Sequence, residues 1–172
     1  MKLTSRPFLD EDFILGMEAV TALKRKITLV RVHSTDMGVL REYIEALYCH
    51  DEDFDAVVNI EEGVKSLLKN DALATPYFIK QGEERIGYVI LTKYHSVEKG
   101  GLTVYIDELY VEAEFRRHGV GRVIMGAITE IAKAEGAKTL WAQTEPYNEG
   151  AQSFFKSLGF LANFYKNFEK PI

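Results

Sequence analysis

Apolar positions along this chain follow two rhythms, one close to 3.6 residues and one close to 2, and the alternation between them lays out the elements. From Asp10 to Lys26, Phe13, Met17, Val20 and Lys24 recur at helical spacing. Acids at the start of that stretch and Lys24-Arg25-Lys26 at its end complement a helix dipole. Ile27–Val32 is a short β-branched run and predicts a strand. Ser34-Thr35-Asp36 then precedes a second helical stripe of Met37, Leu40, Ile44 and Leu47 and predicts its cap. Asn59 followed by Glu62 reads as a capping box that opens a short helix running to Leu68. Pro76–Lys80 and Arg85–Tyr94 predict two strands around a turn at Gln81-Gly82, and a hairpin through Ser96–Gly101 leads to a strand from Leu102 to Val111. Val120, Val123, Ile124, Ala127, Ile128 and Ile131 share one side of a further helix that Gly136 stops. A strand at Lys138–Gln143, a helix at Glu149–Leu158 and a closing strand at Phe160–Phe168 complete the series. Strands interleaved with helices in this way predict an α/β domain with a mixed sheet.

Composition narrows the picture only a little. A chain of 172 residues with 47% hydrophobic content predicts one domain with a real core, spanning residues 1–172. The net charge of −5 argues against nucleic acid as the main partner, which would call for a basic footprint. One cysteine, Cys49, excludes an internal disulfide and a multi-cysteine zinc site, and the expectation is no metal and a reducing, cytoplasmic setting. Cys49-His50-Asp51 puts three potential ligands side by side, where they cannot face one ion, and Cys49 is expected to pack on its helix. No apolar run approaches the roughly 20 residues that span a bilayer, so no membrane partner is expected.

The chemistry concentrates between Val111 and Arg122, where a strand ends, Arg116-Arg117-His118-Gly119-Val120-Gly121 turns, and a helix starts at once. Unpaired N–H groups at a helix start, strengthened by the dipole, make an anion site. Gly119 and Gly121 let backbone approach the anion, and Arg116, Arg117 and Arg122 add charge and forked hydrogen bonds. A P-loop is excluded because Gly-Lys-Ser/Thr is missing, and a dinucleotide fingerprint because Ile124 stands where its third glycine belongs.

This turn resembles motif A of the GCN5-related N-acetyltransferase (GNAT) superfamily, Gln/Arg-x-x-Gly-x-Gly/Ala between a strand and a helix. A second family motif follows at Asn148-Glu149-Gly150-Ala151-Gln152-Ser153-Phe154-Phe155-Lys156-Ser157-Leu158-Gly159-Phe160, with Phe155 in place of the usual tyrosine. Ile106-Asp107-Glu108-Leu109-Tyr110-Val111 is similar to the family's fourth strand, and Tyr94–Gly101 to the hairpin of a bacterial subgroup. The resemblance implies the GNAT fold from Ile27 onward: a central mixed, mostly antiparallel sheet of six to seven strands, splayed between strands 4 and 5 and flanked by helices. Residues 1–26 would form an extension that either covers the sheet or mediates contacts in a homodimer. It also implies acetyl-CoA as co-substrate. The Arg116–Arg122 turn, with His118, Gly119, Val120 and Gly121, would wrap the pyrophosphate, and backbone of Leu109, Tyr110 and Val111 would pair with the pantetheine arm. Asn148 and the helix after it, with Ala151, Phe154 and Phe155, would line the other wall, Phe155 near the thioester sulfur.

Acetyl transfer to an amine needs a neutral nucleophile, a donor for the developing oxyanion and a way out for the thiolate. At neutral pH only about one alkylamine in a thousand is uncharged, given a pKa of roughly 10.4. A carboxylate that takes the proton is therefore the first thing to look for. Asp107 and Glu108 are the candidates. Strand alternation would send them to opposite faces, so that one enters the acceptor cleft, and Asp107 is favoured because aminoglycoside-type members of the family place an acid there. The N–H of Leu109 or Tyr110 would meet the oxyanion. Tyr147 or Tyr165 is the substitute for the tyrosine that Phe155 replaces. The acids Asp51, Glu52, Asp53 and Asp55 would border the acceptor entrance or simply face water. The expected activity is acetylation of a primary amine on a small cationic molecule. The alternatives are a non-catalytic coenzyme A-binding domain and acetylation of protein or peptide N-termini.

Overall fold

A computed structural model describes residues 26–49, 59–69, 72–163, 168 and 170. The expected N-terminal helix before Ile27 and the acidic loop at Asp51–Asp55 lie outside the described residues. The chain divides into two compact units, one ending at Ala142 and one beginning at Gln143.

In the first unit, five strands pair in chain order: β1 (Ile27–Arg31), β2 (Ala74–Gln81), β3 (Glu84–Ser96), β4 (Gly101–Val111) and β5 (Thr139–Ala142). All neighbours are antiparallel except β4 and β5, which run parallel. The sheet is the mixed, mostly antiparallel one expected, with five strands among the described residues where six to seven were expected. The predicted closing strand, Phe160–Phe168, accounts for part of that difference. Residues 160–163 and Phe168 are not in a strand, and the rest of it lies outside the described residues.

Alternation along the strands divides the core between two faces. Phe78, Tyr88, Ile90 and Tyr110 pack with Leu40 and Ile44 of α1 (Met37–Tyr48) and Val64 of α2 (Ile60–Leu67). Lys93 has the opposite parity on β3, and its Nζ meets Glu135 at 3.1 Å, just past the end of α3 (Val120–Ala134). Helix α3 therefore covers the other face, burying Val120, Ile124, Met125, Ala127, Ile128, Ile131 and Ala132.

Two caps show how local chemistry decides. Asn59 accepts a hydrogen bond from the Glu62 N–H at 3.1 Å and its own amide reaches the Glu62 carboxylate at 3.2 Å, as the capping box requires. Ser34-Thr35-Asp36 instead forms a 3-10 turn, and Asp36, at the N-cap of α1, makes no side-chain cap bond. Its carboxylate is drawn away to the Arg85 guanidinium at 2.8 Å, which outcompetes a backbone N–H as a donor. Cys49 corrects a second expectation. It follows α1 as an exposed free thiol and does not pack on the helix.

Gly87 is a point of close approach. It faces Val111 across β3 and β4, and a Cβ added there would lie 2.1 Å from the Tyr110 carbonyl oxygen. We expect Gly87→Ala to cost about 2 kcal/mol, lowering the melting midpoint by about 4–8 °C, because β4 must move away from β3. Thermal unfolding of the variant checks this, and an unchanged midpoint would refute it.

Candidate active site

β4 is paired on both sides only along its first half. Its ladder with β5 runs from Thr103↔Thr139 to Ile106↔Ala142, and β5 ends there. From Glu108 to Val111 the strand keeps β3 on one side, and from Asp107 onward it has no β5 residue on the other. This is the splay between the fourth and fifth strands.

The direction of the backbone groups on that open edge follows from one hydrogen bond. The Glu112 N–H donates to the Ile86 carbonyl at 2.9 Å, so residue 112 faces β3. Two residues back, Tyr110 faces β3 as well, which fits its carbonyl crowding Gly87. Leu109 and Val111 consequently present their N–H and C=O groups to the open side. Of the two expected oxyanion donors, Leu109 and not Tyr110 has its N–H on that edge. The Val111 carbonyl already accepts a bond from Arg116 Nε at 2.6 Å, and the Arg116 guanidinium lies over the Tyr110 ring at 5.4 Å. Arg116 thus folds back along the end of β4.

The glycine turn is built as a backbone cradle. A 3-10 turn at Ala113–Phe115 leads into it, and Arg117 is the only non-glycine with positive φ among the described residues, at 65°. Gly119 takes the N-cap of α3 at φ 81° and provides no side-chain acceptor; its carbonyl takes the Arg122 N–H at 3.1 Å, and the N–H groups of Val120 and Gly121 are the ones placed to meet an external partner. Arg117, His118, Gly119 and Arg122 are exposed around this helix start, and Gly121 is partly so. Val120 is buried at 2% exposure, where its side chain anchors α3 to the core and only its backbone faces the turn.

The two candidate acids differ sharply. β3 and β4 pair as Ile90↔Glu108 and then Leu91↔Ile106, which leaves Asp107 as one residue too many on β4. This β-bulge breaks the alternation that the sequence alone implied. Glu108 lies on the α1/α2 face with Ile90, while Ile106, two residues away, lies on the α3 face with Leu91. The bulged Asp107 is exposed, but the surrounding protein desolvates its carboxyl enough to push it above the usual carboxylate range. Glu108 is half-buried and held at both oxygens, Oε1 accepting from the Tyr48 hydroxyl and Oε2 from the Tyr88 hydroxyl, each at 2.5 Å. Burial, and then the bonds and negative charge of Glu108, push both tyrosines far upward, so they stay protonated donors. Tyr48 and Tyr88 escaped the sequence reading. They lie 60 and 20 residues from Glu108, and no local spacing links them.

The second unit holds the other expected residues on α4 (Glu149–Ser157) and the turn before it. The Asn148 carbonyl oxygen caps α4 by accepting from the Ala151 N–H at 3.0 Å. Phe155 packs at a tilt against Phe154 and Phe160, with ring centroids 5.4 and 5.1 Å away, an apolar setting in keeping with the loss of a hydroxyl. Tyr147 is 59% exposed. Among the described residues no group of three or more His, Cys, Asp or Glu is arranged to hold a metal ion, and no helix is long and apolar enough to cross a membrane.

The family profile described as Acetyltransferase (GNAT) family matches residues 39–160, well over half of the chain. A thialysine N-epsilon-acetyltransferase of Bos taurus is 30% identical over 79 residues, 46% of this chain and 46% of that protein. The chain therefore matches about half the length of this curated relative. A possible acetyltransferase from Clostridium difficile 630 superposes with a TM-score of 0.73 at 20% identity, covering 85% of this chain and 97% of that one. An aminoglycoside N-acetyltransferase solved with CoA gives a TM-score of 0.69 at 17% identity over 88% of this chain and 99% of its own. At these identities the two structures speak for the fold.

Proposed function

The chain belongs to the acetyltransferase (GNAT) family, and on that basis we propose that it moves an acetyl group from acetyl-CoA to a primary amine of a small cationic acceptor by direct attack. The observation that carries this reading is the half-open β4, whose edge at Leu109 and the Val111 N–H has no β5 partner and runs into the glycine cradle at the start of α3. An extended amide-bearing arm fits that edge as an added strand would, and a pyrophosphate fits the helix start. Acetyl-CoA supplies the activated acyl carbon when bound.

The residues then divide the work. Asp107 takes the proton of the attacking amine, and desolvation of its carboxyl makes it a better base at neutral pH. The Leu109 N–H meets the carbonyl oxygen as the new C–N bond forms and charge develops there. The C–S bond breaks to release a thiolate. With a thiol pKa of roughly 8.5 it can leave without an acid at hand and pick up a proton from solvent, which suits a phenylalanine at position 155. The names of the bovine and aminoglycoside-modifying relatives describe N-acetylation of small molecules, which supports the choice of acceptor. The proposal extends to a homodimer, the commonest assembly, and to a cytoplasmic location.

The test is a panel of small amines with acetyl-CoA, reading released thiol. Turnover on one or more of them is the expected result. A second reading, a coenzyme A-binding domain without activity, is favoured only by Phe155, packed against two other rings. Tight coenzyme A binding with no turnover across a broad panel would establish that reading and overturn the first.

A further inference from the structure

The unused chemistry of this site lies in Glu108. Its carboxylate is half-buried, and it is met by two neutral hydroxyls, Tyr48 from α1 and Tyr88 from β3, each at 2.5 Å. Among the described residues no lysine, arginine or histidine forms an ion pair with it. Buried carboxylates are ordinarily paired with a cation, because hydroxyl dipoles offset only part of the lost hydration. The two hydroxyls also fix the Glu108 carboxylate in place at both oxygens, leaving it less free than Asp107 to follow a reacting amine. Each oxygen keeps a further lone pair beyond the one a tyrosine uses, so an ammonium group can be met there without breaking either bond. Asp107, by contrast, carries no such clamp and is the extra residue of the bulge.

We propose that Glu108 is a fixed anionic seat for a second ammonium group of the acceptor, that the acceptor is therefore at least dibasic, and that Tyr48 positions the seat. The inference rests on the acetyltransferase reading and deepens it by naming the acceptor class. Adjacent residues on β4 present the two acids, Asp107 to the reacting amine, which must be neutral, and Glu108 to an amine that stays charged. The bulge makes this division possible. It allows a residue on the α1/α2 face, within reach of the Tyr48 hydroxyl, to follow directly on the residue that takes the proton. Tyr48 is a positioning residue. It acts through the carboxylate, ties the last turn of α1 to β4, and sets where the negative charge stands.

The experiment compares α,ω-diamines of three to six carbons with n-alkylamines of matching length, each with saturating acetyl-CoA. For the wild type, kcat/KM for the best diamine should exceed that of its monoamine partner by about 10–100-fold, the worth of one charge-assisted contact in a partly buried site. Glu108→Gln keeps the shape and should bring that ratio close to one, with the change falling on KM for the diamine and the acid limb of the pH profile retained. Tyr48→Phe should raise KM for diamines by roughly 3–10-fold and leave the monoamines' KM where it was, a split that a purely structural loss would not produce. A wild type that does not separate the two series overturns the inference. So does a Glu108→Gln variant that loses kcat equally on both series together with its acid limb, which would make Glu108 the base. If no amine turns over, the acetyltransferase reading fails on its own terms. Calorimetric binding of the same diamines to the coenzyme A complex then decides the seat: binding lost in Glu108→Gln supports it, and unaltered or absent binding overturns it.

Discussion

Replacing Asp107 with asparagine is expected to lower kcat by about 10²–10³-fold and to abolish the acid limb of the pH profile, with KM for acetyl-CoA nearly unmoved. The substitution keeps size and polarity at an exposed bulge, so the fold should not suffer. Only the capacity to accept a proton goes. The sign of the pH effect follows from the environment. Desolvation raises the Asp107 carboxyl above its usual range, so the limb should lie above the ordinary carboxylate value of about 4. Below the limb Asp107 holds a proton and cannot take another. Activity therefore rises with pH through it, and it keeps rising on the alkaline side as more of the amine, with a pKa of roughly 10.4, becomes neutral. A rate profile of kcat/KM against pH for both proteins reads the outcome. A variant that keeps the limb, or keeps its turnover, removes Asp107 from the mechanism.

The second large effect concerns the donor. The double variant Arg117→Asn, Arg122→Ala should raise KM for acetyl-CoA by about 30–100-fold while kcat changes little, since the lost contacts are to a part of the substrate that does not react. Asparagine is chosen at 117 because the backbone there has φ 65°, a region that asparagine tolerates better than most residues. Alanine at 122 keeps the first turn of α3 intact. Arg116 is left alone because its Nε bond to Val111 and its place over Tyr110 support the strand itself. With fewer cations at the turn, KM should also depend less steeply on salt. Steady-state kinetics at low and moderate ionic strength test both points, and an unchanged KM would take the pyrophosphate away from this turn.

Much of this arrangement could be read from the chain before any coordinates. The strand–turn–helix at Val111–Arg122 declared itself because its chemistry is local: two glycines, three arginines and an amphipathic helix follow one another without interruption. The Asn59 box and the apolar faces of α1 and α3 were legible for the same reason. What stayed hidden depended on partners far apart in sequence. The clamp on Glu108 brings together residues 48, 88 and 108, and only the packing of α1 on the sheet makes them neighbours. The bulge at Asp107 is a mismatch in count between β3 and β4, and neither strand alone carries a sign of it. Asp36 was misread because Arg85, 49 residues on, competes for it.

That mismatch has a consequence for how the strand bears substitution. On the β3 side, Ile106 and Glu108 already sit against consecutive partners, Leu91 and Ile90. A shortened chain lacking only Asp107 would keep every one of those partnerships, with each flanking side chain still on its own face. Asp107 is the one residue of this stretch with no β3 partner to keep, so a change there is expected to alter the chemistry of the site before it alters the sheet.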